Sequence, residues 1–153
     1  MDIKDIVIRE CKEQDLRDLC SLFFLKSFHN KKDELDSFFL STKSSYERFL
    51  KNKDVKIFNA FYKEKLVGTI QVNIIYNPFT SGLAYVTQAE VLEDYRRQGI
   101  GTMLLEKAKE YGRNSSVYTL ELSCGKEFRE ALTFYKKNGM DSSSNNHYIF
   151  YLE

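Results

Sequence analysis

The sequence predicts a single mixed α/β (α+β) domain spanning residues 1–153, and three observations carry that expectation. The hydrophobic period switches repeatedly between two and 3.6 residues, so strands and helices interleave along the chain. A length of 153 residues suits one core, since domains most often run to ~100–150 residues. Hydrophobic residues at 42% and charged residues at 29% supply both a core and a solvated surface, which excludes disorder as the main state.

The elements follow in order. Ile6 to Arg9 is a short β-type run. Leu16, Leu19, Cys20 and Phe23 recur at helical spacing behind Asp15 as a cap. Lys26 to Ser45 reads as polar and irregular, broken by Phe38-Phe39-Leu40, and a second helix is expected after Ser44-Ser45, through Tyr46, Phe49 and Leu50. From Val55 the period becomes two: Val55–Tyr62 and Leu66–Ile75 form a hairpin across Lys63-Glu64-Lys65. Asn77-Pro78 ends that strand, Ser81-Gly82 completes a turn, and a fourth strand runs from Leu83 to about Leu92. Ile100, Met103, Leu104, Ala108 and Tyr111 mark one face of a helix. Tyr118, Leu120 and Leu122 alternate in a fifth strand, Phe128, Ala131, Leu132 and Tyr135 stripe a helix stopped by Asn138-Gly139, and Tyr148, Phe150 and Leu152 alternate in a last strand.

Composition narrows the function classes. Lys and Arg number 23 against 22 acidic residues, so no basic excess points to nucleic acid or a membrane surface. Cys11, Cys20 and Cys124 form no Cys-x-x-Cys pair, and His29 and His147 lie far apart, so neither a disulfide framework nor a metal site is expected. The first residues carry two acids and no apolar core, so a signal peptide is not expected, and no apolar run approaches the ~20 residues of a membrane span. The expected compartment is the cytoplasm.

Residues Glu90 to Gly112 carry the chemistry. A strand ends at Val91-Leu92, and Arg96-Arg97-Gln98-Gly99-Ile100-Gly101 opens a helix. A helix N-terminus offers unpaired N–H groups and positive dipole charge, glycines let an anion approach the backbone, and arginines pair with phosphate oxygens. Strand, glycine turn and helix therefore read as a phosphate cradle. It is not a Walker A loop, since Thr102-Met103 follows Gly101 where Lys and Ser or Thr are needed. Nor is it a dinucleotide fingerprint, since Leu104 stands where a small third residue belongs.

The run Arg96-Arg97-Gln98-Gly99-Ile100-Gly101 resembles the pyrophosphate loop of GNAT-family N-acetyltransferases, Gln/Arg-x-x-Gly-x-Gly/Ala. Val91, five residues upstream, stands at the family's apolar splay position, and Ala131 to Met140 resembles its Ala-x-x-Phe-Tyr-x-x-x-Gly-Phe element. Phe128 departs from the family's asparagine three residues before that alanine. The resemblance implies the GNAT acyl-CoA N-acyltransferase fold: a mixed, mostly antiparallel sheet, splayed between its fourth and fifth strands and flanked by helices. It implies that acetyl-CoA lies in the splay as cosubstrate, with Ala89, Glu90 and Val91 giving main-chain contacts. Arg96, Arg97, Gln98, Gly99, Ile100, Gly101 and Thr102 would hold the pyrophosphate. Tyr135 would be the general acid that protonates departing coenzyme A.

That resemblance implies transfer of acetyl to a primary amine by direct attack, with a non-catalytic acyl-CoA-binding module as the alternative. The acceptor is a small-molecule or peptide amine, with no nucleic acid or membrane partner and no metal; a homodimer is the assembly left open. The general base stays open among Glu90, Glu121 and a water chain to Thr87 or Tyr85. Counting back from Val91 by twos gives Ala89, Thr87 and Tyr85 on one face, with Glu90 on the other unless a β-bulge intervenes. Cys124 as an acyl-enzyme nucleophile is the disfavoured route, His29 reads as a surface residue, and Phe38-Phe39 could line the acceptor pocket.

Overall fold

The computed structural model describes residues 2–27, 34–142 and 147–152. Its centre is a seven-stranded sheet in the spatial order β1-β2-β3-β4-β5-β7-β6. The strands are β1 (Ile6–Glu10), β2 (Val55–Tyr62), β3 (Lys65–Asn77), β4 (Thr80–Val91), β5 (Thr119–Ser123), β6 (Asp141–Ser142) and β7 (His147–Tyr151). Among the described residues four α-helices accompany them: α1 (Leu16–Ser27), α2 (Leu35–Lys51), α3 (Ile100–Asn114) and α4 (Arg129–Lys137). Neighbouring strands are antiparallel except β4 and β5, whose parallel pairing needs the long crossover that α3 supplies.

Residues opposed across a ladder share a face, so the register assigns every side chain to a side of the sheet. On one face Ile70, Val72, Ile74, Ala84 and Val86 pack with Ile100, Leu104, Leu105 and Ala108 of α3, forming the main core. The half-buried Leu132, Phe134 and Tyr135 of α4 join that core. On the other face Ile57, Phe61 and Leu66 pack with Leu16, Leu19 and Leu22 of α1. Here Arg9 and Asp15 form a two-pronged ion pair, Nη1–Oδ2 at 2.6 Å and Nη2–Oδ1 at 2.7 Å, with the guanidinium 4.2 Å from the Phe61 ring centre. The helices thus sort to opposite sides: α3 and α4 on the first face, α1 on the second over the β2–β3 half.

Two sequence expectations are corrected. The second helix begins at Leu35 rather than after Ser45, because Leu35, Phe38, Phe39 and Tyr46 form one stripe packed on Cys20. The intervening hydroxyls, which favour non-helical backbone in isolation, turn back instead: Ser41 Oγ and Thr42 Oγ1 both donate to the Phe38 carbonyl. This packing also gives the half-buried Phe38 and Phe39 contacts with Cys20 of α1. The expected loop at Asn77–Gly82 is a tight hairpin, with Asn77 paired to Thr80 and β4 already running at Thr80. Gly82 permits this at φ +75°, where a Cβ would lie 2.3 Å from the Ile75 carbonyl oxygen. The short β6 has no period to read. His29 lies outside the described residues.

Candidate active site

β4 and β5 share only the rungs Ala84↔Leu120 and Tyr85↔Glu121. Beyond them β4 continues with β3 as far as Gly68↔Val91, while β5 continues with β7 as far as Ser123↔His147. A wedge therefore opens between Val86–Val91 and Leu122–Ser123, bridged at its root by the Tyr85 hydroxyl and Ser123 Oγ at 2.9 Å. A sheet packed on one side by α3 and α4 and on the other by α1 is a wall, and this wedge connects its two sides.

A bulge decides which side chains reach which side. Gln71 pairs with Gln88 but Val72 with Val86, leaving Thr87 as an extra residue of β4. Count-by-twos places Tyr85, Thr87, Ala89 and Val91 together; the bulge splits that set. Ala89 and Val91 join Val86 on the α3 face, opposite Ile70 and Gly68. Tyr85, Gln88 and Glu90 share the other face, opposite Asn73, Gln71 and Thr69, and Thr87 joins them through its hydrogen bond from Asn73 Nδ2 at 2.8 Å. Glu90 thus stands on the same side as Tyr85 and Thr87, at the wide end of the wedge. Glu121 stands on that side too, but at the closed end, accepting from Thr119 Oγ1 at 2.9 Å.

After Val91 a short 3₁₀ turn, Glu93–Tyr95, leads into the glycine loop. Arg97 at φ +58° and Gly99 at φ +89° both take the left-handed region. Gly99 caps α3 without a side-chain acceptor, so the first-turn N–H groups of Ile100, Gly101 and Thr102 have no intrahelical partner. Gly101 has a use that its motif does not reveal: the Phe134 ring of α4 sits where a Cβ would come within 3.2 Å. Arg97 and Thr102 are exposed, and Gln98 Nε2 donates to the Asp94 carbonyl at 3.2 Å. Arg96 is engaged at the end of β4. Its Nε donates to the Val91 carbonyl and its Nη2 to Glu90 Oε1, both at 2.9 Å. Sequence reasoning missed this clamp, since an acid six residues ahead of an arginine signals nothing until the turn brings them together.

Tyr135 enters from the α3 side. Its ring packs against Phe134 and Tyr148 at 5.2 and 5.8 Å between centres. Burial, with smaller contributions from Cys124 and Glu90, pushes its hydroxyl up to about 12, so it is a protonated donor at neutral pH. Cys124, just past β5, has its thiol pushed up by burial and Glu127, the opposite of what a thiolate nucleophile needs. Phe128 occupies the N-cap of α4, is 58% exposed, and gives the helix no side-chain cap. No group of three or more His, Cys, Asp or Glu suited to a metal ion occurs among the described residues.

The Acetyltransferase (GNAT) family model matches residues 14–140. An uncharacterized N-acetyltransferase of Methanocaldococcus jannaschii is 29% identical over 145 residues, 91% of this chain and 62% of that protein, so the chain spans about 62% of the length of this relative. A GNAT-family acetyltransferase structure from Staphylococcus aureus superposes with a TM-score of 0.76 at 20% identity, covering 97% of this chain and 99% of the other. The PaiA N-acetyltransferase of Thermoplasma acidophilum, in complex with coenzyme A, superposes with a TM-score of 0.69 at 21% identity, over 94% and 96% of the two chains.

Proposed function

The chain belongs to the GNAT acetyltransferase family, and from that premise we propose that it transfers acetyl from acetyl-CoA to a primary amine by direct attack across the β4–β5 wedge. The observation that carries this reading is the wedge itself, with Tyr135 on one side and Glu90 on the other. One side is suited to a phosphate-bearing thioester and the other to an amine.

Arg97, Gln98, Gly99, Ile100, Gly101 and Thr102 would hold the pyrophosphate with N–H groups and positive charge, and the uncapped start of α3 fits that task. The main chain of Ala89–Val91, on the strand edge that β5 leaves, would pair with the extended arm as an added strand. Arg96 would fix the end of that edge through Val91 and Glu90 rather than grip phosphate directly. Bound acetyl-CoA supplies the acetyl group as a thioester. Glu90, through a water molecule, takes the proton that the amine must lose before its nitrogen attacks the carbonyl carbon. Tyr135 delivers its hydroxyl proton to the sulfur as the carbon–sulfur bond breaks.

Tyr135→Phe keeps the ring and removes only the donor. Acetyl-CoA should bind within a few-fold of the parent, while kcat should fall by roughly 10²–10⁴, the range for general acid catalysis. Equal kcat in the two proteins would remove Tyr135 from the mechanism. Binding of acetyl-CoA with no turnover across an amine panel would favour the binding-module alternative.

A further inference from the structure

Away from the wide end of the wedge, a cavity of about 340 Å³ opens where the β3–β4 hairpin meets the start of β5. Its walls are mostly apolar or aromatic, from Ile75, Leu83, Tyr76 and Tyr118, and one carboxylate, Glu121, lines it beside Thr119. Ile75, Tyr76 and Tyr118 are 50%, 61% and 65% exposed, a large apolar rim for a surface depression. The register ties this cavity to the site already described. Glu121 is the partner of Tyr85, and Tyr85 shares its face with Glu90. A continuous floor therefore runs from the wide end of the wedge to the cavity. From Glu90 back to Tyr85, four rungs of the β3 ladder, it spans roughly 13 Å at ~3.3 Å per strand residue. Neither β3, β4 nor β5 turns a lysine or arginine to this face; Arg96, which clamps Glu90, comes from the loop at the far end.

A carboxylate that shares a mostly apolar recess with two tyrosines is suited to an organic cation: the carboxylate accepts its N–H groups and aromatic rings attract its charge. We propose that this cavity is a second acceptor subsite, which takes the ammonium at the far end of a linear amine whose near end is acetylated. The substrate class is then a primary amine carrying a second cationic nitrogen on an extended apolar spacer. This rests on the acetyl-transfer reading for its near end, but the cation subsite can be tested by binding alone.

The probes are long α,ω-diaminoalkanes and monoalkylamines of matched length. Calorimetric titration of each into the parent protein, Glu121→Gln and Tyr118→Ala reads the subsite, and initial rates with acetyl-CoA read the chemistry. The parent should bind the diamine at least about tenfold more tightly than the monoamine, with a matching difference in KM. Glu121→Gln should erase that preference and leave monoamine binding unchanged. Tyr118→Ala, at an exposed position, should reduce the preference several-fold even if Glu121→Gln does not fold. Equal binding of the two probes by the parent, or an undiminished preference in both variants, overturns the subsite. A preference for the diamine that Glu121→Gln erases, without acetylation of either amine, upholds the subsite and overturns the catalytic reading instead.

Discussion

Asp15 accepts two hydrogen bonds from Arg9 and a third, at 2.8 Å, from the Lys12 N–H. The Arg9 hydrogen bonds are the main reason its carboxyl is held below the usual carboxylate range. A carboxyl with a lowered folded-state pKa contributes stability above its unfolded value, ~3.9, and loses it as pH falls through the folded value. Asp15→Asn should therefore lower stability most at neutral pH, with the gap to the parent closing below about pH 4. The Arg9 side chain is 31% exposed and that of Asp15 6%, so the loss should fall short of the ~3–5 kcal/mol of a fully buried pair, at about 2–3 kcal/mol by urea titration. A constant difference from pH 3 to 7 would assign the effect to packing alone. Tyr135 gives the complementary expectation: with its hydroxyl pushed up to about 12, no loss of kcat from its ionisation should appear below about pH 10.

At the scale of elements, α3 depends on how its first turn is entered. Gly99 sits at φ +89° with Ile3 Cδ1 only 2.6 Å from where a Cβ would be. Gly99→Ala should cost about 1–2 kcal/mol for the left-handed backbone alone. It should also weaken the stabilisation that acetyl-CoA gives in a thermal-shift assay; a full shift in this variant would argue against the loop as the phosphate holder. The α3 core stripe was legible because Ile100, Leu104 and Ala108 repeat at helical spacing under strong apolar contrast. The start of α2 was not, because serine and threonine there report their local preference while Leu35 and Phe38 answer to Cys20, far away in sequence. In the site, the glycine turn that opens α3 could be read from the sequence, whereas Tyr135 was singled out by the family resemblance and not by its spacing. The side of the sheet that Glu90 faces could not be read, because neither Gly nor Pro marks the bulge at Thr87. The Phe134 ring against Gly101 is a contact between α4 and α3 that neither local sequence contains.

For the whole molecule, the sheet keeps the two proposed substrates on opposite sides until they meet at the wedge. Both can then be bound together. Free coenzyme A should inhibit competitively against acetyl-CoA but not against the amine. An acyl-enzyme route through Cys124 would instead make coenzyme A competitive against the amine, so initial-rate product inhibition separates direct attack from covalent relay.

The extra residue at Thr87 acts on this sheet as a single-base insertion acts on a reading frame. Every position downstream of it, up to Val91, is read out on the side opposite to the one that strict alternation would give. Substitutions can change what stands at the wedge, but only a length change can exchange what faces the two compartments. Deleting Thr87 removes the extra residue and restores one-to-one pairing, so Glu90 should stay opposite Thr69 and Val91 opposite Gly68; only an insertion or deletion not absorbed as a bulge would exchange them. The natural variation to look for in this strand is therefore in its length as much as in its letters.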